Sequence, residues 1–311
     1  MVHQCEEALL QLFALSHSHR ILFHSGGSEG ISFVLKAHLG PLHIEATDHP
    51  AVHATFDWCR KRGWDSKKGE LCNLTYVNNE TGRVTTLGEM EELKRKKGAL
   101  IHVDAVQMPG RVPSLKLSSD LDFYTFSGHK FGALPGSGFT LIPKSLYATM
   151  MPLIHGSSSS IRGGSENVMG IQSLLLALTE LQENFAYDHL LLLKQEFTAK
   201  LKQLFEERIV FFSGEGRNYS PNTMAFALTG GVSGDTLQTA LDLAGVEVGR
   251  GAACASGSNR PSHVLLAEGV DESLAKGFIR ISYSPLMSKE QFDQAFTRIA
   301  SALKTWHTKC I

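Results

Sequence analysis

The stretch FYTFSGHK (residues 123–130) decides how this chain folds. It is an apolar run that ends at a small polar turn and places Lys130 at the tip of that turn. Upstream, a second apolar run, ALIHV (99–103), ends at Asp104, and Gln107 follows three residues later. Short apolar runs bounded by turn residues are typical of buried strands. The sequence therefore predicts two strands, one ending in an aspartate and the other leading into a lysine.

An aspartate and a lysine at two strand ends suit pyridoxal phosphate. This cofactor needs a lysine for its Schiff base and a carboxylate opposite its pyridine nitrogen. The carboxylate keeps that nitrogen protonated, because a nearby negative charge favours the charged form. A single lysine or aspartate after a strand is more often a surface charge or a turn residue. The pair alone therefore does not establish a site, and its other parts must be found elsewhere in the chain.

Strand-like and helix-like segments alternate through the first half of the sequence. The predicted strands are 20–24, 42–46, 72–77, 100–104, 123–127 and 137–142, and the predicted helices are 1–15, 29–39, 52–62 and 90–97. This alternation predicts a mostly parallel sheet covered by helices on both faces. Ligands of such folds bind at the carboxyl ends of the strands, where Asp104 and Lys130 are placed.

The second half predicts a separate, smaller α/β domain. The region 169–204 has leucines at helical spacing and predicts one long helical connection. Strands at 224–228, 246–248 and 278–282, a helix at 235–244 and a final helix are predicted beyond it. We therefore expect a large cofactor-binding domain over 1–185 and a small domain over 186–311.

Composition excludes several other functional classes. With 311 residues, a net charge of -1 and 20% charged residues, the chain has no basic footprint for nucleic acid or an anionic membrane. No apolar stretch approaches the roughly 20 residues that span a bilayer. The five cysteines are scattered, with no CxxC pair, so neither a disulfide framework nor a zinc site is expected, and a reducing cytoplasm fits best. The histidines at 17, 19 and 24 lack a second ligand cluster, and no metal is expected.

Two further segments favour a phosphate-bearing cofactor. Ser25–Glu29 (SGGSE) lies between a strand and a helix, where small residues let backbone N–H groups approach a phosphate. Such turns are also common helix caps. Asp48–His49–Pro50 follows another predicted strand, and His49 there could lie flat against a pyridine ring or simply face solvent.

The small domain contributes a cysteine and an arginine. Cys254 lies in a run of small residues at 249–258, and such a run predicts a loop that gives a thiol little steric shielding and freedom to move. From this segment alone, a free cysteine of no consequence is the commoner outcome. Arg280 interrupts an apolar strand, and its planar fork suits a bidentate grip on a carboxylate of either a structural aspartate or a substrate.

Together these segments resemble the cysteine desulfurases of the NifS/IscS type, which are class V aminotransferase-like enzymes dependent on pyridoxal phosphate. The matching pieces, in the family's order, are SGGSE (25–29), DHPAV (48–52), VNNETG (77–82), HVDAVQ (102–107), FSGHK (126–130), RGGSEN (162–167), GAACASGSNRPSHVL (251–265) and IRIS (279–282). The resemblance covers nearly the whole chain. It implies fold type I of the pyridoxal-phosphate transferases, with a mostly parallel seven-stranded sheet in the large domain.

The resemblance also implies residue roles. Lys130 resembles the Schiff-base lysine, Asp104 the pyridinium partner and Gln107 the residue that bonds the phenolic oxygen of the cofactor. His49 resembles the residue stacked on the ring, and Asn79 a further contact to cofactor and substrate. The residues resembling phosphate ligands are Ser28, Ser127 and His129, with Ser165 lent by a neighbouring subunit of a homodimer. Arg280 resembles the clamp for the substrate carboxylate, and Cys254 matches the sulfur acceptor.

The implied reaction converts L-cysteine into L-alanine and leaves a persulfide on Cys254, for delivery to an iron–sulfur scaffold or another sulfur-acceptor protein. The family carries an N-terminal segment before the point that matches Met1, and the resemblance implies that this segment is absent here. The region 53–76 looks shortened, and Ser157–Ser160 stands where the family usually has a glycine-rich, charged loop. Two alternatives stay open. One is a selenocysteine lyase or another lyase or aminotransferase of the same class, and the other is a catalytically weak homologue that acts as a binding or regulatory partner.

Overall fold

A computed structural model describes residues 1–156, 161–251 and 261–307. The predicted sulfur acceptor Cys254 and the serine run Ser157–Ser160 lie outside these described residues. The chain divides into two compact units. The first comprises Met1–Val77 and Thr85–Phe185, and the second comprises Asn78–Val84 and the chain from Ala186 onward.

The first unit contains a sheet and the helices that cover it. Its strands are β1 (His19–His24), β2 (Leu42–His43), β3 (Leu71–Thr75), β4 (Leu100–Asp104), β5 (Phe123–Ser127) and β6 (Gly138–Pro143). Its helices are α1 (Val2–Leu12), α2 (Gly27–His38), α3 (Pro50–Arg62), α4 (Leu87–Lys97), α5 (Lys144–Tyr147) and α6 (Val168–Asn184), with a 3-10 turn at Gly128–Lys130.

The sheet order places the carboxyl ends of five strands at one edge. The strands follow one another in the order β1-β6-β5-β4-β3-β2. Strands β2 to β5 are parallel, and β6 is antiparallel to both β5 and β1. Because β6 alone is reversed, β1 runs in the same direction as β5. The mixed α/β class is confirmed, although the described residues of this sheet form six strands rather than seven.

Strand β2 is shorter than the predicted strand 42–46. It ends at His43 because the chain turns immediately afterwards. The N–H of Asp48 donates to the carbonyl of Glu45 at 3.1 Å, and the N–H of Glu45 donates to the Asp48 carboxylate at 2.9 Å. These bonds take residues 45–48 out of the ladder and form the turn that leads into α3.

Buried aromatic and aliphatic side chains hold the sheet to its helices. Phe126 and Phe139 stack with ring centroids 4.7 Å apart, and Phe13 lies 4.9 Å from Phe126. On α2, Ile31 and Val34 are fully buried in a cluster with sheet residues. Helix α2 is thereby fixed with its N-terminus at the edge where the parallel strands end.

The second unit has its own small sheet. Its strands are β7 (Ile209–Phe211), β8 (Thr223–Leu228) and β9 (Ile279–Ser282), and its helices are α7 (Tyr187–Phe205), α8 (Gly234–Leu243), α9 (His263–Ala267), α10 (Glu272–Lys276) and α11 (Lys289–His307), with a 3-10 turn at Glu206–Arg208. The three strands are antiparallel, with β8 in the middle.

Two predictions for this half of the chain are wrong. The single helix over 169–204 is two helices, because Phe185 adopts an extended conformation that ends α6, and α7 begins at Tyr187. The predicted strand 246–248 does not form, since Gly249 makes only an isolated bridge to Arg280. Within the described part of the chain, no helix combines the length and apolar character needed to cross a membrane.

Candidate active site

Asp104 is a buried carboxylate at the carboxyl end of β4. It is 6% exposed, and its Oδ1 accepts a hydrogen bond from the backbone N–H of Val106 at 3.1 Å. Burial and, to a smaller extent, the nearby Asp48 raise the pKa of Asp104 to about 7, against the hydrogen bond from the Val106 N–H, which lowers it. Among the residues that the structure describes, none forms an ion pair with this carboxylate. A buried acid of this kind suits a ligand that brings its own positive charge.

A second buried carboxylate supports this end of the site. Asp48 is fully buried, and its Oδ1 accepts from the Thr75 hydroxyl at 2.8 Å. Thr75 on β3 pairs with Asp104 on β4, so the residue that binds Asp48 is directly beside Asp104 in the sheet. Burial raises the pKa of Asp48, while hydrogen bonds from Glu45 and Thr75 and the Asn73 side chain lower it. The turn that Asp48 stabilises presents the next residue, His49.

His49 caps the N-terminus of α3. Its Nδ1 accepts from the backbone N–H of Ala51 at 3.1 Å, and the side chain is half-buried. With Nδ1 used as an acceptor, the proton of the neutral ring is on Nε2. Gln107 is half-buried in the turn after Asp104, where its carbonyl accepts from Arg111 at 3.4 Å. Their assigned contacts to the cofactor remain predictions.

The start of α2 has the features of a phosphate site. Gly26 is the N-cap and no side chain caps the helix, so its first N–H groups have no intrahelical acceptor. A Cβ on Gly26 would lie 3.4 Å from the Ser127 Oγ, and a Cβ on Gly27 would lie 2.7 Å from Val106. Small residues are therefore required here, since the turn packs directly on the chain that follows β4 and β5.

Strand β5 delivers the remaining polar groups to the same edge. Its last residue, Ser127, has its Oγ 3.1 Å from the Nδ1 of His129. Lys130 ends the 3-10 turn that follows, and both His129 and Lys130 are exposed. Partial burial and the charge of Lys130 lower the pKa of His129. Asp104 thus ends β4 and Lys130 follows β5, and these two strands are adjacent and parallel.

The remaining predicted phosphate ligands are exposed. Ser28 lies in the first turn of α2, and Ser165 lies in the loop before α6. Ser165 lines a small cavity with Ser25 and Arg162. The Arg162 guanidinium donates to Glu29 at 2.9 Å, and this pair ties the loop to the first turn of α2.

The second unit holds the predicted carboxylate clamp. Arg280 on β9 donates from Nη1 to the backbone carbonyl of Asn79 at 2.7 Å. Its Nε is buried without a hydrogen-bond partner among the described residues. Burial lowers the pKa of Arg280, and the nearby Glu80 raises it. Arg280 and Asn79 are therefore brought together, with one guanidinium nitrogen still available to an anionic ligand.

Glu80 and Ser262 are two site residues for which the sequence alone indicates no role. Glu80 is fully buried, accepts a short hydrogen bond from the Ser262 hydroxyl, and lies 4.0 Å from the Nδ1 of His263. A Cβ on Gly251 would be 3.9 Å from this carboxylate. Glu80 is therefore close to Gly251 and Ser262, which flank the segment that carries Cys254 on its two sides. The available signal was the serine before the apolar run HVLLA, which is typical of a helix N-cap, but nothing in the sequence pairs it with Glu80.

Three cysteines lie within the described residues. Cys5, Cys59 and Cys72 are buried, and burial raises the pKa of both Cys59 and Cys72. Buried thiols with a raised pKa are poor nucleophiles, because the thiolate is the reactive form. Cys59 and Cys72 are therefore unsuited to accept sulfur from a substrate.

The residues of the first unit fit pyridoxal phosphate. An uncompensated buried acid lies at the end of β4, a lysine follows β5, and an uncapped helix N-terminus packs against Ser127 at the same edge. The acid complements a protonated pyridine nitrogen, and the helix N-terminus complements a phosphate. This fit rests on the charge and burial of the side chains.

Comparisons with known proteins agree with this geometry. Residues 64–295 match the Aminotransferase class-V family. The chain is 30% identical to cysteine desulfurase IscS of Dictyoglomus turgidum, with 93% of this chain and 81% of that protein aligned. It is 27% identical to cysteine desulfurase NifS of Azotobacter vinelandii, over 95% of this chain and 80% of that protein. A solved NifS-like protein superposes with a TM-score of 0.81 at 26% identity, over 98% of this chain and 87% of that structure. The expected resemblance is confirmed, and the chain belongs to the class-V aminotransferase family.

Proposed function

We propose that this chain is a cysteine desulfurase that uses pyridoxal phosphate to move sulfur from L-cysteine to Cys254. One observation carries the proposal. A buried carboxylate without a described cationic partner ends β4, and the adjacent parallel strand leads into Lys130. The names of the relatives supply the substrate, and the residues that the family uses are present at the matching positions.

The cofactor, when bound, withdraws electrons from the substrate carbon through its protonated ring. Asp104 would hold the proton on the pyridine nitrogen, because its carboxylate has no ion-pair partner among the described residues. Ser127, His129 and the first N–H groups of α2 bind the phosphate. His49 supports the ring face, and the Lys130 amine moves the proton at the substrate Cα.

Arg280 and Cys254 act on the substrate itself. The Arg280 fork binds the carboxylate of cysteine. The Cys254 thiolate attacks the substrate sulfur, so that a new S–S bond forms as the Cβ–S bond breaks. The electron pair of the broken bond stays with the carbon, which takes up a proton. The products are L-alanine and a Cys254 persulfide, and no external oxidant is needed.

The proposal extends to partners and location. A homodimer would let the exposed Ser165 of one subunit reach the phosphate of the other. The persulfide would pass to an iron–sulfur scaffold or another sulfur-acceptor protein. We place the protein in the cytoplasm, because reducing conditions keep its cysteines as thiols.

Trapping on Lys130 tests the cofactor assignment. The full chain is purified with pyridoxal phosphate, reduced with borohydride and mapped by mass spectrometry. We expect a pyridoxyl group on Lys130, a yellow protein before reduction, and a loss of alanine and sulfide release of at least about 100-fold in Lys130→Ala. The matched control is Lys116→Ala, which changes an exposed lysine and should retain full activity. A label on another lysine would overturn the assignment.

Substitution of Cys254 separates the proposal from its nearest alternative. We expect Cys254→Ser to bind cofactor normally and to release no alanine from L-cysteine, whereas Cys59→Ala remains active. Full desulfuration by Cys254→Ser would remove this thiol from the mechanism. That result would favour a selenocysteine lyase or another lyase of the same class.

A further inference from the structure

A continuous line of buried polar side chains crosses the sheet of the first unit. One residue from each of five adjacent strands takes part: His24 on β1, Thr140 on β6, Thr125 on β5, His102 on β4 and Asn73 on β3. The exposed fraction is 6% for His24 and at most 1% for the other four. We call these five residues the cross-sheet chain.

Each neighbouring pair is within hydrogen-bond distance. The His24 Nε2 is 2.9 Å from the Thr140 hydroxyl, and the hydroxyls of Thr140 and Thr125 are 3.0 Å apart. The His102 Nε2 is 2.8 Å from the Thr125 hydroxyl, and its Nδ1 is 2.7 Å from the Asn73 Oδ1. Since unpaired polar groups are costly in such a core, the two hydroxyls, the ring nitrogens that face them and the Asn73 Oδ1 satisfy one another.

The two ends of the chain fix its direction. At one end, the backbone N–H of Gly26 donates to the His24 Nδ1 at 3.3 Å, so the ring proton must be on Nε2. At the other end, the His102 Nδ1 faces the oxygen of the Asn73 amide, and this amide orientation assigns the proton of His102 to Nδ1. Both requirements are met when Nε2–H of His24 donates to Thr140, Thr140 to Thr125, and Thr125 to Nε2 of His102. The two histidines are then opposite tautomers.

Burial keeps both rings neutral. It lowers the pKa of His24 to about 4 and the pKa of His102 to about 3. Glu29 and the backbone carbonyls near His24 raise the pKa of His24, whereas Arg162 lowers it together with burial. A neutral ring has one donor and one acceptor, which is what a one-way chain requires.

The chain connects both ends of the proposed cofactor site. Gly26 is the N-cap of α2, which presents the phosphate-binding turn. Asn73 is one of the residues, after Glu45 and Thr75, that lower the pKa of the buried Asp48. Helix α2 is seated directly over the chain, since a Cβ on Gly30 would lie 2.4 Å from the His24 Nε2 and 2.7 Å from the Thr125 Cγ2.

We propose that the cross-sheet chain is a one-directional hydrogen-bond chain whose residues are positioning residues for the turn at Gly26. Its role in binding pyridoxal phosphate rests on the proposed function, but its direction and its effect on the turn do not. None of its side chains needs to touch the cofactor. They act by holding the Gly26 N–H and the first turn of α2 in one geometry.

The direction is tested in the full-length protein by ¹⁵N NMR of the histidine rings. His24→Gln and His102→Gln identify the two signals. We expect His24 to be the neutral Nε2–H tautomer and His102 the neutral Nδ1–H tautomer, both unchanged from pH 5.5 to 8. If both rings carried the proton on the same nitrogen, or if either ring became charged within that range, the proposal would be overturned.

Thr140→Val tests the positioning role by removing the central hydroxyl at nearly constant volume. We expect faster amide exchange at Gly26 and about three- to tenfold weaker pyridoxal phosphate binding to the apoprotein, in line with the loss of one buried hydrogen bond. Thr140→Ser keeps a hydroxyl and should restore both properties. The matched control is Thr198→Val, because Thr198 is also a buried threonine but lies on α7 of the second unit, outside the sheet that carries the chain.

The outcomes separate the two proposals. Wild-type exchange at Gly26 in Thr140→Val would overturn the positioning role. Failure of the wild-type protein to bind pyridoxal phosphate would instead refute the proposed function, and the ring tautomers and Gly26 exchange would still decide the direction and positioning of the chain.

Discussion

Asp104 shows at the scale of one residue how the site and its stability are connected. Its carboxyl group is buried beside a second acid, and its pKa is raised to about 7. The folded apoprotein therefore holds this proton more tightly than the unfolded chain does. The contribution of Asp104 to stability is complete below its ordinary pKa near 4 and is lost as the pH rises towards 7.

Asp104→Asn is expected to remove this pH dependence. At pH 8 the variant apoprotein should have a free energy of unfolding higher than the wild type by up to about 4 kcal/mol, since one pKa unit corresponds to about 1.4 kcal/mol. The difference should shrink towards zero near pH 4. Urea unfolding of the apoproteins at several pH values measures it. Asp120→Asn at an exposed position is the control, and a difference independent of pH would contradict the expectation.

Site residues were predictable from the sequence where a polar side chain ends an apolar run. Asp104 and Lys130 were found in this way, since the strands around them depend on local sequence. The partners of Glu80 and Asn73 were not predictable, because they lie on other elements and depend on the strand register. For a histidine inside a strand, such as His102, the sequence does not indicate which hydroxyl or amide group on a neighbouring strand will be its hydrogen-bond partner.

At the scale of elements, helix α2 lies close to the sheet because Gly30 has no side chain. Gly30 lies on the face that covers His24 and Thr125, where even one methyl group would overlap with both. Gly88 in α4 is a useful contrast, because a Cβ there would have no neighbour within 4 Å. Both glycines are helical, but Gly30 is closely packed and Gly88 is not.

Gly30→Ala is expected to destabilise the protein by about 1–3 kcal/mol, because overpacking forces α2 away from the sheet. Gly88→Ala should stabilise it by about 0.5–1 kcal/mol, since alanine loses less conformational freedom in a helix. Thermal or urea unfolding of the two variants gives the comparison. Equal effects at both positions would show that α2 is not seated as described.

The bounds of elements were predictable to different degrees. Strands β4 and β5 begin and end at the predicted residues, because each is a short apolar run with clear polar limits. The break between α6 and α7 was missed, since Phe185 and Ala186 are neither glycine nor proline. The extended backbone of Phe185 depends on tertiary structure, which local helix propensity does not indicate.

At the scale of the whole molecule, the two units do not follow the order of the chain. Asn78–Val84 belongs to the second unit, although residues on both sides of it belong to the first. Within the second unit, Gly82 accepts from the N–H of Ser220 at 2.7 Å and packs near Thr223 on β8. Gly82 has a φ of +74°, and a Cβ there would be 3.1 Å from the Thr223 Cβ.

Gly82→Ala is expected to loosen the second unit. It adds the strain of a left-handed conformation and the crowding against Thr223. Gly98→Ala has the same kind of strain, with a φ of +63°, but no neighbour within 4 Å. Gly82→Ala should therefore cost about 1–3 kcal/mol more, and only it should speed amide exchange in β8. Equal exchange in the two variants would contradict the assignment of 78–84.

The position of Asn78–Val84 also limits how this protein can be recombined with its relatives. A chimaera that joins residues 1–185 of this chain to the rest of another family member would keep Glu80 and Gly82 from one parent and their partners from the other. A crossover at the apparent domain boundary would therefore mismatch seven residues of the smaller unit. Successful exchange would require those seven residues to be inherited together with the carboxyl-terminal half.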